Sequence, residues 1–197
     1  MNGIASELAA VARRCAARGW VPATSGNFSA RLPSGDLLIT PSGADKGALQ
    51  PEALLVLDPR GAPRVPGQVP SAETGLHVAR YAADPQIGAI VHTHATRAVL
   101  LSRRVGAEVV LEGFELLKAF VGVTTHEARL VVPVIDNHQD MAALAPIAEA
   151  AVARCAPTWA FLVRGHGVYV WGPDLAVAER HAEALDVLFH YLLEEGR

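Results

Sequence analysis

Apolar positions along the chain follow two periods. From about Ile4 to Arg18 they recur at helical spacing until Gly19 stops the run, which predicts an amphipathic first helix. The next segment, TSGNFSARLPSGDLLITPSGADKG, predicts strands around Asn27–Arg31 and Leu37–Thr40, punctuated by Gly, Ser and Pro turns. A short turn at Gln50–Ala53 leads to a strand at Leu54–Asp58, and a Pro/Gly-rich connection runs from Pro59 to Pro70. SAETGLHVARYAAD reads as a helix capped by Ser71, with Glu73 in its first turn where a carboxylate suits the dipole. A strand at Ile87–His94, a helix at Thr96–Arg103, a strand at Val109–Leu111 and a short helix at Gly113–Phe120 come next. Leu130–Ile135 is strand-like, and the helical stretch Met141–Cys155 is expected to start afresh near Pro146. TWAFLVRGHGVYVWG reads as strand, glycine-flanked turn and strand, and a long helix opens after Pro173. Strands cluster into hairpins with helices between and after them. That order predicts an α/β fold with a mixed, mainly antiparallel sheet covered by helices on both faces.

Composition narrows this picture. The chain has 197 residues, enough for one domain with a full core, and no linker or repeat divides it, so residues 1–197 are read as a single domain. Hydrophobic residues make up 51% and charged residues 19%, which fits a packed globule. A net charge of −3 without a basic stripe argues against nucleic acid as a partner. Cys15 and Cys155 lack metal or redox spacing and fit a reducing compartment. No apolar run suggests a membrane span, and the N-terminus lacks the pattern of a signal peptide, so the expected location is the cytoplasm.

The chemistry concentrates in a few residues. In AIVHTHA, His92 and His94 share one face of a strand, because residues i and i+2 point the same way. Alone, such a pair is equally a pair of hydrogen-bonded core residues. His166, bracketed by Gly165 and Gly167 at a hairpin mouth, supplies a third imidazole. Three such ligands around a divalent ion leave a position open for water or substrate, and neutral imidazole suits zinc first. The turns TSGN (Thr24–Asn27) and TPSG (Thr40–Gly43) expose backbone N–H groups of the kind that cradle phosphate, although ordinary turn chemistry explains either alone. Lys46 is one of only two lysines and is either a phosphate contact or a solvated loop residue. Glu73 and Glu115 are both candidate general bases. Their plainer roles are a helix-dipole partner for Glu73 and an exposed pairing with Lys118 for Glu115. His77, His181 and His190 are expected at helix surfaces or core edges.

TSGNFSAR, LLITPSG, PSAETGLH, AIVHTHA and FLVRGHGVYVWG, in this order, resemble the class II aldolase/adducin-head superfamily from about Val21 to Leu192. Within it, TPSGADKG, FELLKAF, VVPVIDNHQDM and GHGVYVWG are most similar to the methylthioribulose-1-phosphate dehydratase branch of methionine salvage. The resemblance implies a three-layer α/β/α sandwich and one zinc ion per subunit on His92, His94 and His166. It places the catalytic acid/base at Glu115 and leaves Glu73, which matches the proton-transfer glutamate of related aldolases, as a possible second catalytic residue, metal contact or helix cap. Phosphate-binding positions fall on Gly26, Asn27, Ser42, Gly43 and Ser71; Ala72 stands where the aldolases carry a further polar side chain. A phosphorylated ketose substrate and a homotetramer, or a multiple of it, with sites near subunit contacts are also implied. Aldol cleavage of a ketose 1-phosphate, 4-epimerisation of a pentulose phosphate and a non-catalytic adducin-like module are the alternatives.

Overall fold

A computed structural model describing residues 2–196 arranges these segments as α1 (Asn2–Ala17), β1 (Asn27–Arg31), β2 (Leu37–Ile39), β3 (Leu55–Leu57), α2 (Thr74–Ala83), β4 (Ala89–Thr93), α3 (Thr96–Arg104), β5 (Glu108–Glu112), β6 (Arg129–Ile135), α4 (Met141–Arg154), β7 (Ala160–Val163), β8 (Gly167–Gly172) and α5 (Leu175–Glu194). The strands form one eight-stranded sheet in the order β3-β2-β1-β4-β8-β7-β6-β5. All pairings are antiparallel except β6 with β7. This is the mixed, mainly antiparallel sheet that the hairpin pattern predicts.

Both faces of the central strands are apolar, so each face needs its own cover. On one face Phe28, Val91, Leu162, Val168 and Val170 pack with residues of α1, α3 and α5 such as Leu8, Leu101 and Leu188. On the other, Ile39, Ile90, Phe161 and Trp171 pack with Leu76 and Tyr81 of α2 and with Leu144 and Ala148 of α4. The result is a three-layer α/β/α sandwich, with β4 at its centre between β1 and β8.

Three local expectations change. Helix α2 begins at Thr74 with Glu73, not Ser71, at its N-cap position, and the Glu73 side chain makes no capping bond. Residues 71–74 instead form a turn in which the Ser71 carbonyl accepts from Thr74 N and Oγ1, while the Glu73 carboxylate is drawn away towards histidines. Helix α4 does not restart at Pro146. It runs unbroken from Asp140, whose side chain accepts from the N–H groups of Ala142 and Ala143. The proline removes the donor for the Ala142 carbonyl, but Ala142 and Pro146 both lie on the exposed face, where water can replace that bond. The segment expected as a short helix before Phe120 is a 3-10 turn, Glu115–Ala119. Among the described residues no helix is long and apolar enough to cross a membrane.

Helices α1 and α5 are tied together by Glu179, which accepts from Arg14 Nε at 2.8 Å, Arg14 Nη2 at 2.5 Å and Arg18 Nη1 at 3.0 Å. Burial pushes the Glu179 carboxyl up, but Arg14 and Arg18 outweigh it and hold the folded state below the ordinary carboxylate value. A depressed folded-state value stabilises above the unfolded-state pKa and ceases to do so as pH falls through the folded one. Glu179→Gln is therefore expected to lower stability by about 1–2 kcal/mol at pH 7 in denaturant melts. The gap from wild type should close as the pH drops below the carboxylate range.

Candidate metal centre

Register across three neighbouring strands builds the floor of the site. Asn27 of β1 lies opposite His92 of β4, and His92 lies opposite Tyr169 of β8, so the three side chains share one face. His94 follows the end of β4, where its N–H donates to the Trp20 carbonyl. His166 sits in the β7–β8 turn, with its N–H on the Val163 carbonyl. Two glycines permit the close approach of these segments. A Cβ on Gly26 would stand 2.6 Å from the His92 carbonyl oxygen, and its φ of +72° already favours glycine. A Cβ on Gly167 would stand 2.2 Å from the Thr93 carbonyl oxygen.

The three predicted imidazoles converge, and Glu73 joins them. One ligand atom from each of Glu73, His92, His94 and His166 lies within 4.8 Å of all the others. Glu73 Oε2 is 3.0 Å from His92 Nε2, and its Oε1 is 2.8 Å from His166 Nε2. His92 Nε2 and His94 Nε2 are 3.0 Å apart. Glu73 approaches from the start of α2, so the carboxylate that looked like a dipole partner is a member of the cluster.

The donor set fits a divalent cation. His92 Nδ1 lies 3.0 Å from the Val168 carbonyl, which can only accept, so the ring proton is assigned to Nδ1 and Nε2 presents a lone pair. Burial lowers the His92 pKa against the opposing pull of Glu73. With that ring neutral, its Nε2 faces a carboxylate oxygen, acceptor against acceptor. Burial and the neighbouring His92 and His166 push His94 down to about 3, so it too is neutral near pH 7. Burial pushes the Glu73 carboxyl up, but the imidazoles beside it, His166 first, outweigh that and hold the group ionised. Neutral imidazoles and one carboxylate are the ligand types that zinc and neighbouring transition metals take, and the outer nitrogens of His92 and His166 have the partners such sites require.

Several contributors were not singled out from the sequence. Asn137 Oδ1 lies 3.3 Å from His166 Nδ1 and orients that ring; its neighbour His138 instead accepts from Asp140 N–H at the start of α4. Tyr169 stacks on His92 with centroids 3.9 Å apart and on Phe161 at 4.7 Å. Burial and the nearby Glu73 carboxylate raise its phenol well above the usual range, so it stays protonated. Alternation within GVYVWG places Tyr169 on the His92 face only once the β4–β8 register is known. His77 and His181, expected at surfaces or core edges, are both buried. His181 bridges the Trp171 carbonyl and the Val121 N–H, and His77 faces Asn27 and Ser29.

The remaining predicted residues are more scattered. Glu115 lies outside the cluster; its side chain is 72% exposed and pairs with Lys118 at 2.6 Å. That bond holds its carboxyl below the usual range. Lys46, by contrast, is buried, and its ammonium donates to the Thr24 carbonyl at 2.5 Å within the TSGN turn. Burial lowers its pKa, while Asp45 and Glu73 oppose the shift. Asn27 donates through Nδ2 to Glu73 Oε2 at 2.7 Å. Ser42 and Gly43 are exposed on the loop after β2, and Ser71 Oγ accepts from Glu73 N–H at 3.4 Å.

Curated relatives resemble nearly the whole chain. A methylthioribulose-1-phosphate dehydratase from Granulibacter bethesdensis is 48% identical over 196 residues, covering 96% of this chain and 91% of its own. Another from Sorangium cellulosum is 44% identical over 198 residues, covering 99% and 93%. Among solved structures, L-fuculose-1-phosphate aldolase from Thermus thermophilus superposes with a TM-score of 0.77 at 28% identity, covering 99% of this chain and 96% of its own. Residues 6–193 match the family designated Class II Aldolase and Adducin N-terminal domain. On that span, and with three histidines and a glutamate gathered beneath α2, the chain belongs to the class II aldolase/adducin family.

Proposed function

We propose that this chain removes water from 5-methylthioribulose 1-phosphate to give 2,3-diketo-5-methylthiopentyl 1-phosphate, a step of methionine salvage in the cytoplasm. The observation that carries the reading is the convergence of Glu73, His92, His94 and His166, a donor set for a divalent ion at the centre of the sheet. The names of the relatives select dehydration among the reactions such a centre serves.

In this reading His92, His94 and His166 would hold one zinc ion per subunit, with Glu73 offering a fourth donor. When bound, zinc supplies Lewis acidity that polarises the ketose carbonyl and acidifies the adjacent C3–H. Glu115 takes the C3 proton and returns a proton to the C4 hydroxyl as it leaves as water; the enol so formed becomes the diketone. Its exposure, away from the cluster of its own subunit, suits a role at a subunit contact of a homotetramer or a multiple of it. The phosphate is held by Gly26, Ser42, Gly43 and Ser71, with Lys46 adding charge. Asn27 contributes the Nδ2 hydrogen that Glu73 does not use. Fixing the phosphate end orients C3 and C4 for the proton transfers. Glu73, whose carboxylate lies 2.8 Å from His166 Nε2 and 3.0 Å from His92 Nε2, is the candidate second proton carrier.

Three outcomes test this reading. Product analysis of the zinc-loaded protein with 5-methylthioribulose 1-phosphate should find the dicarbonyl compound; dihydroxyacetone phosphate would indicate aldol cleavage instead. His94→Ala should lose both metal, measured by elemental analysis, and turnover, and stoichiometric zinc in that variant would contradict the ligand set. Glu115→Gln should keep its zinc while turnover falls by about a hundredfold or more, the scale of positioned acid–base catalysis. Turnover near wild type would remove Glu115 from the mechanism.

A further inference from the structure

Behind Glu73 a chain of side chains runs into the core. Glu73 Oε2 accepts from Asn27 Nδ2 at 2.7 Å, and Asn27 Oδ1 lies 2.5 Å from His77 Nε2. His77 Nδ1 lies 2.7 Å from Ser29 Oγ, which lies 2.9 Å from the Tyr81 hydroxyl. Asn27, Ser29, His77 and Tyr81 are all buried, between 0% and 3% exposed. They come from β1 and α2, two elements that contact the site from different layers.

Donor and acceptor chemistry gives this chain one direction. An ionised carboxylate only accepts, so Asn27 must turn its NH₂ to Glu73 and its oxygen to His77. His77 then carries its proton on Nε2, and its bare Nδ1 accepts from the Ser29 hydroxyl. Ser29 in turn accepts from Tyr81. Each member has the partner its neighbour requires, and reversing any one leaves two acceptors or two donors in contact in a buried seam. Such a mismatch is costly where water cannot enter. A buried polar seam that merely glued α2 to β1 would have no need to end on a group of the metal cluster.

We propose that Asn27, His77 and Ser29 are positioning residues for Glu73: their one-way hydrogen-bond chain fixes which carboxylate oxygen faces which imidazole, Oε2 towards His92 and Oε1 towards His166, and how tightly the fourth donor holds a divalent ion. The inference rests on the metal-centre reading and adds to it that the affinity and geometry of the centre are set from the core, two and three side chains away. Asn27 thereby has a structural partner in addition to any contact with phosphate.

The test compares His77→Phe, which removes the Nε2 donor, with His77→Gln, whose side-chain amide can restore a donor to Asn27. Zinc affinity is measured by competition with a chromophoric chelator, and the visible spectrum of the cobalt-substituted protein reports the ligand geometry. Folding is followed by thermal melts. His77→Phe is expected to weaken zinc by about 10–100-fold and to alter the cobalt bands, the usual range for an outer partner of a metal ligand, and His77→Gln to recover most of both. Should His77→Phe fail to fold, Ser29→Ala, which removes only one hydroxyl, is expected to weaken zinc in the same direction. Affinity within twofold of wild type and an unchanged cobalt spectrum in a folded variant would overturn the proposal. A wild-type protein that binds no zinc would instead overturn the metal-centre reading, and neither result depends on the choice of substrate.

Discussion

The Nε2 atom of His92 sits 3.0 Å from a carboxylate oxygen while the proton of the same ring is committed to the Val168 carbonyl. Two acceptors pressed together at the centre of a sheet are unfavourable unless positive charge lies between them. Much of the architecture can be read as the means of imposing that contact. β4 is held between β1 and β8, Tyr169 stacks beneath the imidazole, and α2 delivers Glu73 from above. The two faces of the sheet divide the labour. α1, α3 and α5 cover one face with a largely apolar cluster, whereas α2 and α4 cover the face through which the polar seam runs.

That division bears on how reactions are exchanged within one fold. The three histidines stand on or beside strands whose register is fixed, while Glu115 and the Ser42–Gly43 loop lie on exposed connections. Under the proposed reading, a centre held this way would serve cleavage, epimerisation or water loss alike. The choice would then fall to groups on the periphery, which can differ without disturbing the strands.

The three histidines and the sandwich were legible in the sequence because they depend on short-range patterns. HTH on an apolar strand and GHG at a hairpin mouth are local statements, and the order of strands and helices constrains the layers. Glu73 was visible but ambiguous: two residues into a predicted helix, a carboxylate has a sufficient local reason to be there. Only the turn at residues 71–74 shows that its side chain is not spent on the helix end. Asn27 looked like a turn residue for the same reason, and His77 like one polar position on an amphipathic helix. Their partners come from residues 46 and 50 positions away in the chain, a pairing that depends on how α2 docks over β1. Pro146 misled in the opposite direction, since its cost depends on which side of α4 meets water.

Gly26 and Gly167 carry a last implication. On either flank of the histidine-bearing strand a main-chain oxygen stands where a methyl group would go: that of His92 on one side, beside a Val21 methyl, and that of Thr93 on the other. The approach of the neighbouring segments to that strand is thus gauged chiefly by peptide units, which a change of side chain cannot lengthen or trim. A lineage could remodel the loops around the cluster again and again, and the ruler at its base would keep its length as long as those two positions stayed bare.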